Sequence, residues 1–264
     1  MGMQLFHQSY SQNIDSSEDA QSPVVIIPGL FGSTSNWRSF AKAMSERYPV
    51  IVIDQRNHGQ SPHAGSHTYF DMAQDLLDFL DQHDLERVTL CGHSMGGKTA
   101  MTFSLLHPER VEKLAVLDIA PITYTHSHTP YIDELLKLDL TSLGSRSDAD
   151  KALQETIPEQ GIRLFLLQSL TGSRGNYRWR LNLEVLRQDM AKIIGFPDQK
   201  LADKESEVLT AIIYAKGSGY VTPQSFEKIQ SYFPNAQFHG ISNAGHWLHV
   251  DQPATVLQVL SEFV

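Results

Sequence analysis

Five short apolar runs, with helical patterns between them, constrain the fold of this chain more than any other feature. Val24-Val25-Ile26-Ile27 and Val50-Ile51-Val52-Ile53 are unbroken β-branched runs. Arg87-Val88-Thr89-Leu90-Cys91, Leu114-Ala115-Val116-Leu117 and Ala211-Ile212-Ile213-Tyr214 follow the same pattern, and Gln237 to Ile241 is a weaker sixth. A strand with one wet face alternates polar and apolar residues; these runs do not, so both their faces are expected to be buried. Between them, Trp37, Phe40, Ala41 and Met44, and then Met72, Leu76, Phe79 and Leu80, recur at spacings of three and four, as one face of a helix requires. Buried strands alternating with helices predict an α/β fold, with a mostly parallel sheet and helices on both faces.

One segment breaks the alternation. Residues 121–204 carry no β-branched run, only helical patterns around Ile132, Leu135 and Leu136, from Ile162 to Leu170, and through Leu183, Leu186, Met190, Ile193 and Ile194. This reads as a helical cap inserted over the strand ends, with 1–120 and 205–264 forming the core. Eleven Lys and Arg balance eleven Asp and Glu inside the cap, so the formal charge of -9 belongs to the core. That charge disfavours nucleic acid as a partner, because phosphate binding needs clustered cations. Cys91 is the only cysteine and can form no internal disulfide. The first residues, running into the polar stretch 13–22, lack the pattern of a secretory signal, and no run approaches the roughly 18 apolar residues of a membrane span. A cytoplasmic protein with no membrane partner is expected.

Gly92-His93-Ser94-Met95-Gly96 follows the buried run ending at Cys91 and precedes a small-residue helix start at Gly97. A turn this sharp strains its central residue, and flanking glycines remove the side chains that would clash. The pattern alone arises by chance in roughly one chain in ten. Between a strand and a helix of an alternating chain, it points to Ser94 as a nucleophile. A serine hydroxyl needs a base, and in chain order the base should come last. His246, in Asn243-Ala244-Gly245-His246-Trp247, follows the last strand; His249 is a distant second.

The acid partner is less direct. The loop after the penultimate strand, Lys216-Gly217-Ser218-Gly219-Tyr220, holds no carboxylate. Asp118, at the end of the run one strand earlier, could orient the imidazole, or could merely cap the entrance to the cap segment. Asp198, Asp203 and Asp251 are weaker choices, and a Ser94–His246 dyad helped by Ser218 stays open. Backbone N–H groups of Met95, after the nucleophile, and Leu30, after the first buried strand, are expected to bind an oxyanion. Phe31, His93 and Trp247 flank these motifs and are expected to line the substrate site. Arg178 and Arg180, in the cap, are read either as a solvated loop or as a contact for substrate phosphate or carboxylate. The Asp54-to-Gly59 block reads as an ion-pair and turn framework, while His63, His67, His126 and His128 are expected to face solvent rather than a metal.

Taken together, Pro28-Gly29-Leu30-Phe31-Gly32-Ser33, Asp54-x-Arg56-Asn57-His58-Gly59-x-Ser61, the elbow through Lys98, Leu117-Asp118-Ile119-Ala120-Pro121 and Gly245-His246-Trp247-Leu248-His249 resemble the bacterial YbfF esterases of the α/β-hydrolase superfamily. The resemblance spans nearly the whole chain. It implies an α/β-hydrolase fold with a helical cap and hydrolysis of short acyl esters or acyl-CoA thioesters. It also implies no cofactor and favours Asp118 as the acid, since the family shares the missing carboxylate after the penultimate strand. Pro28 stands where relatives commonly have His. A cofactor-free perhydrolase, a lyase using the same triad, and a small-molecule receptor are the rival readings on this scaffold.

Overall fold

The computed structural model describes residues 2–11 and 22–264, so the polar stretch 13–22 lies outside the described residues except for Ser22. The β-branched runs form strands: β1 (His7–Tyr10), β2 (Val24–Ile27), then, after helix α1 (Thr34–Met44), β3 (Val50–Ile53). Helix α2 (Tyr69–Gln82) leads to β4 (Val88–His93), α3 (Met95–Leu106) and β5 (Val111–Leu117). Strand β5 opens into a helical segment of α4 (Thr129–Lys137), α5 (Arg146–Leu153), α6 (Gln160–Leu167), α7 (Leu183–Gln188), α8 (Met190–Ile194) and α9 (Asp198–Leu201). Within it, β6 (Leu170–Thr171) and β7 (Arg178–Trp179) pair as a small antiparallel ladder, where the sequence suggested only helices. The chain closes with β8 (Thr210–Ala215), α10 (Pro223–Tyr232), β9 (Ala236–Ile241), α11 (Leu248–Asp251) and α12 (Pro253–Phe263).

Among the described residues the main sheet has seven strands in the order β1-β3-β2-β4-β5-β8-β9. All pairs are parallel except β1 with β3, where His7 to Tyr10 runs antiparallel to Ile53 to Val50. Because side chains alternate across a strand, Val25 and Ile27 pack under α2, α3 and α10 with Phe79, Phe103 and Ile229. Val24 and Ile26 pack on the opposite face with Trp37, Phe40 and Leu260 of α1 and α12. Both faces are dry, which explains why these strands carry no polar alternation.

Two consequences position a site. From β2 the chain goes to β3 on one side and β4 on the other, so the ends of β2 and β4, paired through Ile27 and Gly92, flank the point where strand order reverses. Crevices of open parallel sheets form beyond the strand ends at such a reversal. The segment between β5 and β8 covers that end with its own apolar cluster, in which Ile132, Leu135, Leu166 and Leu186 meet Phe31, Met72 and Met95 of the sheet layer. Among the described residues no helix is long and apolar enough to cross a membrane.

Candidate active site

Ser94 lies on the bend between β4 and α3 at φ 52° and ψ -123°, in the left-handed region that costs an L residue energy. The bend needs glycine on both sides. A Cβ on Gly92 would sit 2.3 Å from the Gly96 carbonyl oxygen, and one on Gly96 would sit 2.1 Å from that of Ile27. Strand, bend and helix therefore pack backbone against backbone. The Ser94 N–H donates to Leu117 O at 3.0 Å, tying the bend to the end of β5.

His246, in the loop between β9 and α11, places Nε2 3.0 Å from Ser94 Oγ and Nδ1 2.9 Å from Asp118 Oδ2. Asp118 has a fully buried side chain, and its backbone is also left-handed at φ 51°. Its second oxygen, Oδ1, accepts the Ala215 N–H at 2.9 Å and the Ser218 hydroxyl at 2.8 Å. A buried carboxylate needs such partners to persist. Ser218 thus bonds Asp118 rather than the imidazole. The other aspartates are engaged elsewhere or exposed: Asp251 accepts the Gly245 N–H, Asp198 accepts the Tyr232 hydroxyl, and Asp203 lies in solvent.

Side chains around the imidazole fix its plane. The Tyr220 ring stacks on it with centroids 3.8 Å apart and an 18° tilt. His93 donates from Nε2 to the His246 carbonyl at 2.8 Å, and burial, with His246 and His249 nearby, holds the His93 pKa far below the usual imidazole value. His249 stacks on Trp37 at 4.0 Å, and burial lowers its pKa to about 3. Sequence reasoning passed over Tyr220, although it closes the very loop in which a carboxylate was sought.

The loop after β2 abuts Ser94 closely: a Cβ on Gly29 would meet the Ser94 Cβ at 3.1 Å. Gln55 donates to Pro28 O at 2.9 Å, and the Phe31 N–H donates to His58 Nε2 at 3.0 Å. His58 in turn donates from Nδ1 to Arg56 O at 3.0 Å, which settles its tautomer. Arg56 pairs with the buried Asp75. The Asp54-to-Gly59 block is thus the fastening of this loop, and it holds Phe31 at φ 65°. Among the described residues the Leu30 and Met95 amides donate to no other group. Met95 opens α3, whose first amides lack intrahelical acceptors and carry the positive end of the helix dipole.

Complete burial lowers the His58 pKa from 6.5 to about 4. The unfolded chain therefore takes up this proton first: the stabilisation is whole above pH 6.5 and is lost as pH falls from 6.5 towards 4. Each pH unit between those two values is worth about 1.4 kcal/mol, so His58 contributes about 3 kcal/mol over that window. Urea titrations of His58→Gln against the parent should show a shallower loss of stability between pH 6.5 and 4. An identical slope in both proteins would mean that this imidazole is not held neutral.

Two placements, both of histidines, depart from the sequence reading. His67 is buried rather than solvent-facing, because Asp189 of the cap segment accepts its N–H at 2.7 Å and Asn57 and Met95 close on its ring. His128, half-buried, lines the cavity at Ser94, whereas His63 and His126 are exposed as expected. Arg178 and Arg180 sit on and beside β7 and line a separate recess with Gly59, Gln60, Ser61 and His63; neither reaches the cavity at Ser94. Among the described residues no three His, Cys, Asp or Glu side chains converge as metal ligands.

That cavity has a volume of about 250 Å³. Phe31, His93 and Trp247 line it, joined by Trp37 and by Tyr131 and Phe165 from the cap segment. Among the described residues no Lys, Arg, Asp or Glu lines it, and burial keeps His93, His128 and His249 uncharged at neutral pH. The walls suit an uncharged, apolar molecule.

Comparison with known proteins agrees with this architecture. The family described as "alpha/beta hydrolase fold" matches residues 22–148. The chain is 40% identical to the sn-1-specific diacylglycerol lipase ABHD11 of Mus musculus, over 93% of this chain and 82% of that protein. It is 33% identical to esterase YbfF of Escherichia coli (strain K12), over 92% and 93% of the two chains. A solved marine microorganism esterase superimposes with a TM-score of 0.92 at 34% identity, covering all of both chains. The buried parallel sheet, the serine bend at its strand ends and these relatives together place the chain in the α/β-hydrolase family.

Proposed function

We propose that this chain hydrolyses small, uncharged carboxylic esters through an acyl intermediate on Ser94. The observation that carries the reading is the continuous hydrogen-bonded line from Ser94 Oγ through both nitrogens of His246 to Asp118. His246 takes the Ser94 proton as Oγ attacks the carbonyl carbon. Asp118 steadies the imidazolium, and the Leu30 and Met95 amides receive the oxyanion. Collapse breaks the carbon–alkoxy bond, and the alcohol leaves with the proton from His246. A water, deprotonated by the same imidazole, then frees the acid and returns the proton to Ser94. The esterase and lipase relatives support ester cleavage, and the uncharged cavity favours plain esters over highly charged thioesters such as acyl-CoA.

The test is a p-nitrophenyl phosphonate, a covalent mimic of the tetrahedral intermediate. It should silence p-nitrophenyl butyrate hydrolysis with one label per chain, found by peptide mass spectrometry on Ser94. Inactivation accompanied by label on a different residue would refute the assignment.

A further inference from the structure

Among the described residues two cavities meet at Ser94. The large aromatic chamber and a second cavity of about 30 Å³ share Leu30, Ser94, His128 and Tyr220. They differ in what else they touch. His246, Trp247 and His249 line only the large one; Met95, Lys98, Ile119, Tyr124 and Ile194 line only the small one. On the same measure the aromatic chamber is about 250 Å³, so the second cavity admits a much shorter chain.

The end of the small cavity is rigid. Lys98 is buried and donates to Ile122 O at 2.8 Å, Ile194 O at 2.9 Å and Gly195 O at 2.6 Å. An ammonium has three donors, so all are in use and none is offered to a ligand. These carbonyls belong to the two ends of the cap segment, so the lysine holds both ends against α3.

The chemistry assigns the sides. An ester carbon attacked by Ser94 carries an acyl chain and an alkoxy group, and the alkoxy oxygen must lie within hydrogen-bond reach of the group that protonates it. His246 faces the large chamber. Resting on the hydrolase reading above, we infer that the large chamber receives the alcohol half and the small cavity receives the acyl chain. The preferred substrates are then esters of a very short acid with a bulky, uncharged, apolar alcohol. When the carbon–alkoxy bond breaks, the alcohol departs into the aromatic chamber with the proton that His246 took from Ser94. The short acyl group stays beside Met95 until water replaces it.

Hexyl acetate and ethyl hexanoate are isomers with the ester reversed, so size and overall hydrophobicity cancel in a comparison of their kcat/KM values. Hexyl acetate should be preferred by at least about 10-fold, the discrimination of one misfitted methylene. Ile194→Ala, which deepens the small cavity, should narrow that ratio by raising turnover of ethyl hexanoate. An equal or reversed preference in the parent enzyme overturns the assignment of sides while leaving the hydrolase reading standing. A ratio unmoved by Ile194→Ala likewise overturns the acyl placement. Cleavage of neither ester, nor of p-nitrophenyl butyrate, removes the hydrolase reading and this inference with it.

Discussion

Ser94→Ala is expected to lower kcat for p-nitrophenyl butyrate by about a million-fold, the loss seen when a serine nucleophile acting in a triad is deleted. The size follows from the role proposed for the hydroxyl. Without Oγ there is no atom to form the acyl intermediate, and the imidazole 3.0 Å away has no proton to take. What remains is whatever the Leu30 and Met95 amides do for direct attack by water, a residual of roughly 10³ to 10⁴ over the uncatalysed rate. The fold should persist. The bend is held by the Ser94 N–H on Leu117 O and by the backbone packing of Gly92 and Gly96, none of which uses the hydroxyl. Initial rates beside a thermal melt test both halves. His246→Ala should cost about as much, and the double variant little more, because the two side chains act as a unit. Retained turnover in a well-folded Ser94→Ala protein would discard the nucleophile.

What the sequence disclosed depended on whether a feature was written locally. Buried parallel strands are apolar on both faces, so β2, β3 and β8 are visible as unbroken runs. Strand β1, His-Gln-Ser-Tyr, carries no such signal, because it lies at the sheet edge and is defined by pairing with β3. The β6–β7 ladder is two residues long on each side, too short to show a period. The same distinction runs through the site. Gly92, Ser94 and Gly96 announce the bend because a close backbone approach demands those residue types. Asp118 could be put forward from its strand-end position, since β5 and β8 are neighbours and their ends face the same crevice. His67, by contrast, looks like any surface histidine until the distant Asp189 closes over it. The Tyr220 stack and the two cavities likewise come from segments meeting in space, and no spacing along the chain encodes them.

Asp118→Asn is expected to reduce kcat by about 10⁴-fold, some 5 to 6 kcal/mol of transition-state stabilisation, with little change in KM. A carboxylate at Oδ2 accepts the Nδ1 proton and leaves Nε2 free to accept from Ser94, the tautomer that attack requires. An amide has one oxygen and one NH₂, and the partners of Asp118 decide which goes where. Ala215 N–H and the Ser218 hydroxyl both donate to the Oδ1 position, so the amide oxygen belongs there. That leaves the NH₂ pointing at Nδ1, which must then accept, and the proton moves to Nε2, facing Ser94. The imidazole is held in place with its proton on the wrong nitrogen. Because the exchange is nearly isosteric and keeps the Ala215 and Ser218 bonds, melting temperature should move little while the rate collapses. Ser218→Ala sharpens the point by removing one of the two donors that hold the amide in this orientation. Combined with Asp118→Asn it should recover part of the lost rate, as the amide gains freedom to turn its oxygen towards Nδ1. A near-normal rate for Asp118→Asn alone would show that His246 is oriented by another group.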